Sequence, residues 1–248
     1  MLCATLEDHG KVALLRLNNG VTNAIGPQLL QDIAAAAAAI RKGFNGLVLA
    51  GGRKFFSIGL DLPQLLSFDR TQMAEFLKNF NQVVLDLYSL PLPAACAITG
   101  HATAGGAILA LTCDFRLAAA GRTLIGFNEI NIGVPVPYLA DLMLRQLVGD
   151  RAATAMLYGG EFLDPPAARA IGLVDDIVDK EQVESRAVAK IDQLASKAQP
   201  AFATMKQTRV ESICTRYRET TRDIQSNFLD CWFQGPVQKL LHQAAEKF

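Results

Sequence analysis

Glu129 stands in GFNEINIGVPVP (126–137), an acid set among glycine, proline and apolar residues rather than on a solvated helical face. A carboxyl group in such surroundings has a raised pKa and suits general acid–base work. A second segment, HATAGGAILAL (101–111), places Gly105-Gly106 ahead of an apolar helix. The first N–H groups of that helix have no intrahelical acceptor and could hold an oxygen that gains negative charge. A third, FFSIGLDL (55–62), interrupts an apolar run with Ser57, Gly59 and Asp61. Gly59 permits a backbone turn that other residues resist, and such a turn can leave the Leu60 N–H pointing into a cleft. Each segment alone also has a structural explanation: a strand-to-helix turn, close backbone packing, or a hydrogen-bonded acid. Together they offer backbone N–H groups for an oxygen that gains negative charge and an acid able to move a proton.

GGAILAL has neither the GxGxxG spacing of a dinucleotide site nor the GK[ST] of a P-loop. His9, His101 and His242 are far apart, and no His/Asp/Glu spacing suggests a metal. Asp114 and Arg116, in CDFR, read as a structural pair. Asp61 reads as a helix-starting residue that shapes the cleft, and His101 as structural. Arg53 and Lys54 follow Gly51-Gly52, where they are either a solvated turn or a contact for phosphates.

The order and content of these segments resemble the crotonase (enoyl-CoA hydratase/isomerase) superfamily. The resemblance runs from LNNGVTNAI (17–25) through FFSIGLDL to GLVDDIV (172–178). It is closest to the Δ3,Δ2-enoyl-CoA isomerases, whose FSAGLDL, PAGGCLMALTCDYR and GLNET patterns match FSIGLDL, TAGGAILALTCDFR and GFNEI here. The resemblance implies an α/β fold, a crotonase-like spiral of ββα units with a C-terminal helical region. It implies that Leu60 and Gly105 supply the oxyanion-binding amides, and that Asn23, Ala24, Ile25, Ser57, Ile58, Gly59, Asp61 and Leu62 line the acyl-CoA site. It also implies trimers or hexamers. Of the two glutamates that serve the family's hydratases, one position is Glu129 here and the other is Ile108, which becomes a wall of the pocket. One carboxylate can shuttle a proton from C2 to C4 of a 3-enoyl thioester, but it is poorly equipped to activate water. The expected function is therefore double-bond isomerisation, with hydration or another enolate reaction as the alternative enzyme class. A non-catalytic CoA-binding or RNA-associated relative is the third. Coenzyme A enters as part of the substrate, and no other cofactor and no metal is expected.

These groups must be positioned by alternating strands and helices. VALLRL (12–17), LVLA (47–50), Ala94–Ile98 and Leu173–Val178 read as strands. Pro27–Arg41, with six consecutive alanines, reads as a helix that begins with proline. Thr71–Leu90 is a helix with Met73, Phe76, Leu77, Phe80, Val83, Val84 and Leu87 on one face, stopped by Pro91 and Pro93. Further helices are expected over 104–111, 140–148, 152–158, 165–171 and 181–194. Nothing from Pro200 onward reads as strand, so a spiral core over 1–195 and a helical lobe or arm over 196–248 are expected. With 24 basic and 24 acidic residues the net charge is zero, without the basic footprint of a nucleic-acid binder. No apolar run approaches the ~20 residues of a membrane span. Five scattered cysteines without CxxC spacing suggest reduced, buried thiols. The N-terminus is too polar and acidic for a signal peptide, and a cytoplasmic location is the expectation.

Overall fold

The first strand is one the sequence reading passes over. In the computed structural model, which describes residues 2–246 without side chains for 221–224, β1 (Ala4–His9) pairs antiparallel with β2 (Val12–Leu17). α1 (Pro27–Gly43) follows, with Pro27 in its first turn, and leads into β3 (Gly46–Ala50). β4 (Phe55–Ser57) departs into a second sheet, and α2 (Leu62–Leu65) and α3 (Arg70–Tyr88) complete the unit. Asp69 starts α3 with a capping box shared with Gln72. The pattern repeats as β5 (Ala94–Ile98), β6 (His101–Thr103) and α4 (Gly105–Leu111). It repeats again as β7 (Phe115–Ala119), β8 (Ile125–Gly126), a 3-10 turn over Glu129–Ile132 and α5 (Tyr138–Gly159). The remaining elements are β9 (Phe162–Leu163), α6 (Pro165–Ala170), β10 (Asp176–Val178), α7 (Val183–Ala195), α8 (Gln199–Trp232) and α9 (Gly235–Ala245). This is the expected α/β succession of ββα units followed by helices.

The larger sheet has the order β1-β2-β3-β5-β7-β10, parallel from β2 onward. Side chains alternate across a strand, and both faces here are apolar. One face presents Val12, Leu14, Val48, Ala50, Ala95, Ala97, Leu117 and Ala119 to Val183, Ala187, Ile191 and Ala195 of α7. The other presents Ala13, Leu15, Leu47, Leu49, Cys96 and Ile98 to the main core beneath α1, α3 and α4.

The smaller sheet, β4-β6-β8-β9, was not legible from periodicity. Its first three strands run parallel and are only two or three residues long. Each delivers one of the chemistry-bearing segments just beyond its carboxyl end: the 57–60 turn, Ala104-Gly105, and Glu129.

The helices expected over 140–148 and 152–158 both form, as the two parts of α5 on either side of Gly149, whose φ of +81° and ψ of 159° are not helical. Two expectations change. The strand expected over Leu173–Val178 is confined to Asp176–Val178. Leu173 and Val174 instead turn back, their N–H groups bonded to the Ala168 carbonyl at the end of α6. The helical region after residue 196 is not a lobe standing apart. Val210, Ile213, Phe228, Leu229, Trp232 and Leu241 join the same core as the sheet. Lys206 of α8 is buried and donates to the Leu92 carbonyl (2.9 Å) and Asp114 (2.8 Å), while Asp114 also accepts from the Ala94 N–H. Arg116 is equally buried, donating to the carbonyls of Cys113 and Leu173. Asp114 and Arg116 are structural, as their sequence context suggested. Among the described residues, no helix is long and apolar enough to cross a membrane.

Candidate active site

The turn after β4 is rigid because its polar groups are used internally. Ser57 is buried; its hydroxyl donates to the Asn23 carbonyl (2.7 Å) and accepts from the Gly59 N–H (3.2 Å). Asn23 is 1% exposed and has a left-handed φ of +47°. Its side chain donates to the Phe56 carbonyl (3.1 Å) and accepts from the Asn19 N–H (2.8 Å). Ile25 donates to the Gly59 carbonyl and accepts from the Asp61 N–H, so it brackets Leu60. In a parallel pair of this kind the bracketed residue's own N–H points the other way. The Leu60 N–H accordingly has no acceptor among the described residues.

The second donor arises at Ala104, which holds φ +49° and ψ −124°. A non-glycine residue in this region is strained, and such strain is concentrated at functional sites. Its N–H is bonded to the Gly126 carbonyl. The chain therefore turns sharply out of β6, and Gly105 becomes the first residue of α4, its N–H without an intrahelical or capping partner. Glycine is needed at two points of this junction, and a third, Gly105, is closely packed. A Cβ on Gly106 would lie 2.2 Å from the Ser57 carbonyl oxygen, and one on Gly59 2.9 Å from the Gly105 nitrogen. One on Gly105 would lie 3.5 Å from the Leu60 nitrogen. The free amides of Leu60 and Gly105 thus flank one small space.

That space is part of a cavity of about 680 Å³. Ile58, Leu60, Leu62, Gly105, Ile108 and Glu129 line it. Ile108 sits one turn into α4 and is 2% exposed. Glu129 is buried, and its Oε2 has no hydrogen-bond partner among the described residues. Burial pushes its pKa up to about 7, against the opposing pull of the backbone N–H groups of Glu129 and Asn128. Among the described lining residues Glu129 is the only acid and Lys54 the only cation.

Asn23, Ala24, Ile25, Ser57, Gly59 and Asp61, expected as substrate contacts, do not line the cavity. Their polar groups hold the turn that aims Leu60, and Asp61 caps α2 by accepting from the Gln64 N–H. Arg53 is paired with Glu181 (2.9 Å) at the surface, whereas Lys54 lies at the cavity, over the Phe55 ring. His101 is outside the lining, its Nδ1 accepting from the Leu124 N–H. The sequence reading missed Val21, Thr22, Asn128 and, from the last helices, Phe228, Trp232 and Ala244. Trp232 is the chain's single tryptophan and is 1% exposed, a composition signal that could have marked it. No group of three or more His, Cys, Asp or Glu among the described residues could hold a metal ion.

The family profile described as Enoyl-CoA hydratase/isomerase matches residues 7–247. The chain belongs to that family. Among its relatives in the family, human mitochondrial enoyl-CoA delta isomerase 1 is 30% identical over 241 residues, 95% of this chain and 80% of that one. A probable enoyl-CoA hydratase of Mycobacterium tuberculosis is 31% identical over 185 residues, 74% of this chain and 70% of that one. The crystal structure of human mitochondrial delta3-delta2-enoyl-CoA isomerase has a TM-score of 0.94 at 29% identity, covering 99% of this chain and 97% of that one. The crotonase-type spiral of the enoyl-CoA hydratase/isomerase family is therefore the fold of this chain.

Proposed function

We propose that this member of the family is an acyl-CoA double-bond isomerase that converts 3-enoyl-CoA to 2-enoyl-CoA. The observation that carries the reading is that Glu129, buried, is the only carboxylate among the described residues lining a cavity that the apolar Ile108 also lines. The thioester oxygen is held by the Leu60 and Gly105 N–H groups. Glu129, ionised, removes a proton from C2. The electron pair spreads over C2–C4 and the carbonyl as a dienolate, whose charge the two amides stabilise. Glu129, now protonated, returns the proton to C4, so one group is base first and acid second. Ile108 neither donates nor accepts a proton and keeps water from the intermediate. Lys54, at the cavity edge, suits the anionic part of CoA. A trimer or hexamer in the cytoplasm remains part of this reading. It rests on the sequence resemblance for assembly and on five free thiols for a reducing compartment.

Hydration of 2-enoyl-CoA is the second reading, and one experiment separates the two. Incubated side by side with each thioester, the protein is expected to isomerise 3-enoyl-CoA far faster than it forms 3-hydroxyacyl-CoA. Hydration as fast as isomerisation would make it a hydratase. Ile108→Glu is expected to raise hydration roughly tenfold or more while lowering the melting temperature, because it buries a second carboxylate in an apolar wall.

A further inference from the structure

Behind the reaction cavity lies a second space of about 200 Å³. Leu77, Pro137 and Phe228 line both. Val136, Tyr138 and Tyr217 belong to the second alone, together with the amides Asn81, Gln225 and Asn227, and Pro135 marks its exposed rim. The three shared residues form a partition from three different elements: α3, the segment before α5, and α8. Phe228 is its bulkiest member, 5% exposed and stacked on Trp232 with ring centroids 6.0 Å apart. Among the described residues that line the reaction cavity the one cation is Lys54, which lies over the Phe55 ring, while Leu77, Phe80, Phe228 and Trp232 supply aromatic and aliphatic surface.

We infer that the second space receives the far end of the substrate's acyl chain, that Phe228 is the residue it must pass, and that this chain's substrates are therefore long-chain enoyl thioesters. The inference rests on the proposed function only for the position of the thioester, held between Leu60 and Gly105. A chain anchored there at its polar end and excluded from water must continue along apolar surface, and the partition is where that surface meets further space whose apolar wall is Val136 and Tyr138. At the ~30 Å³ that a water-sized group occupies in a liquid, 200 Å³ admits on the order of six methylenes beyond the partition. Each buried methylene tightens binding about fourfold. A short acyl chain ends before the partition and gains nothing from Val136 or Tyr138.

The test uses saturated thioesters, so that it does not depend on turnover. Calorimetric titration of the wild-type protein with tetradecanoyl-CoA is expected to give a Kd at least about 10²-fold below that of hexanoyl-CoA. Val136→Trp, which fills the second space, is expected to shrink that ratio to about tenfold or less, with melting temperature as the check on folding. A crystal structure of the wild type with tetradecanoyl-CoA should place the chain's terminal carbons against Val136 and Tyr138; this arm stands even if the variant does not fold. Equal affinity for the two thioesters, or a tail lying outside the second space, overturns the inference alone. Failure to bind hexanoyl-CoA as well overturns the proposed function together with it.

Discussion

Replacing Glu129 by glutamine lowers isomerisation of 3-enoyl-CoA by roughly 10²-fold or more, the scale of a lost general base. The amide fills the same volume and can still face the cavity, so the fold and thioester affinity are expected to persist. It cannot take the proton from C2. The wild-type protein carries a matching signature in its pH profile. With a pKa of about 7 in the free protein, Glu129 is the active base above neutrality. kcat/KM then falls about tenfold per pH unit on the acid side of 7. A folded Glu129→Gln protein with near-normal turnover, or a flat profile between pH 5 and 8 in the wild type, would remove Glu129 from the mechanism.

Gly105→Ala is expected to cost up to about as much by a different route. Its methyl group would lie 3.5 Å from the Leu60 nitrogen and 3.2 Å from both the Gly59 Cα and the Ile25 Cδ1. It would therefore intrude on the space that the thioester oxygen must share with the two amides. The N–H itself is retained, so the loss comes from pushing the thioester oxygen away from its donors; a donor lost outright costs about 3 kcal/mol, or roughly 10²-fold in rate, and sets the upper bound. The loss should fall on kcat, since both donors act most strongly on the developing enolate. Steady-state kinetics beside a thermal melt check it. A well-folded Gly105→Ala protein with unchanged kcat would show that the thioester oxygen sits elsewhere.

How much of this was legible before the structure depended on the length of the element involved. The strands of the large sheet announce themselves as apolar runs such as VALLRL and LVLA, and α3 by its stripe from Met73 to Leu87. The strands that aim the site do not. With two or three residues each, β4, β6 and β8 have no period to detect, yet their ends set the spacing of Leu60, Gly105 and Glu129. The motif positions of those three, and of Ile108, Ile58 and Leu62, were readable, and the structure brings them to one cavity. Asn23, Ser57 and Asp61 stand outside the cavity lining for a physical reason. A polar residue beside a reactive segment reads as a substrate contact, but hydrogen bonding within the turn consumes these three. Phe228 and Trp232 lie more than ninety residues beyond the last chemistry-bearing segment, GFNEINIGVPVP. Only the packing of α8 against α3 and α5 brings them to the cavity wall.

The lone Oε2 of Glu129 also governs how the empty protein responds to acid and alkali. The carboxyl rises from its ordinary 4.5 to about 7 in the fold, so between those pH values the folded chain holds a proton that the unfolded chain has released. The resulting stabilisation is complete below about 4.5 and lost as pH rises through 7, a difference of about 3 kcal/mol. Ionising this group thus prepares the protein for its chemistry and loosens its fold in the same step. The disabled Glu129→Gln protein, with no charge to bury, should consequently melt several degrees above the wild type at pH 8 and lose that advantage near pH 5. A proton-transfer site of this construction makes the unliganded protein least secure under the conditions in which it is most ready to act.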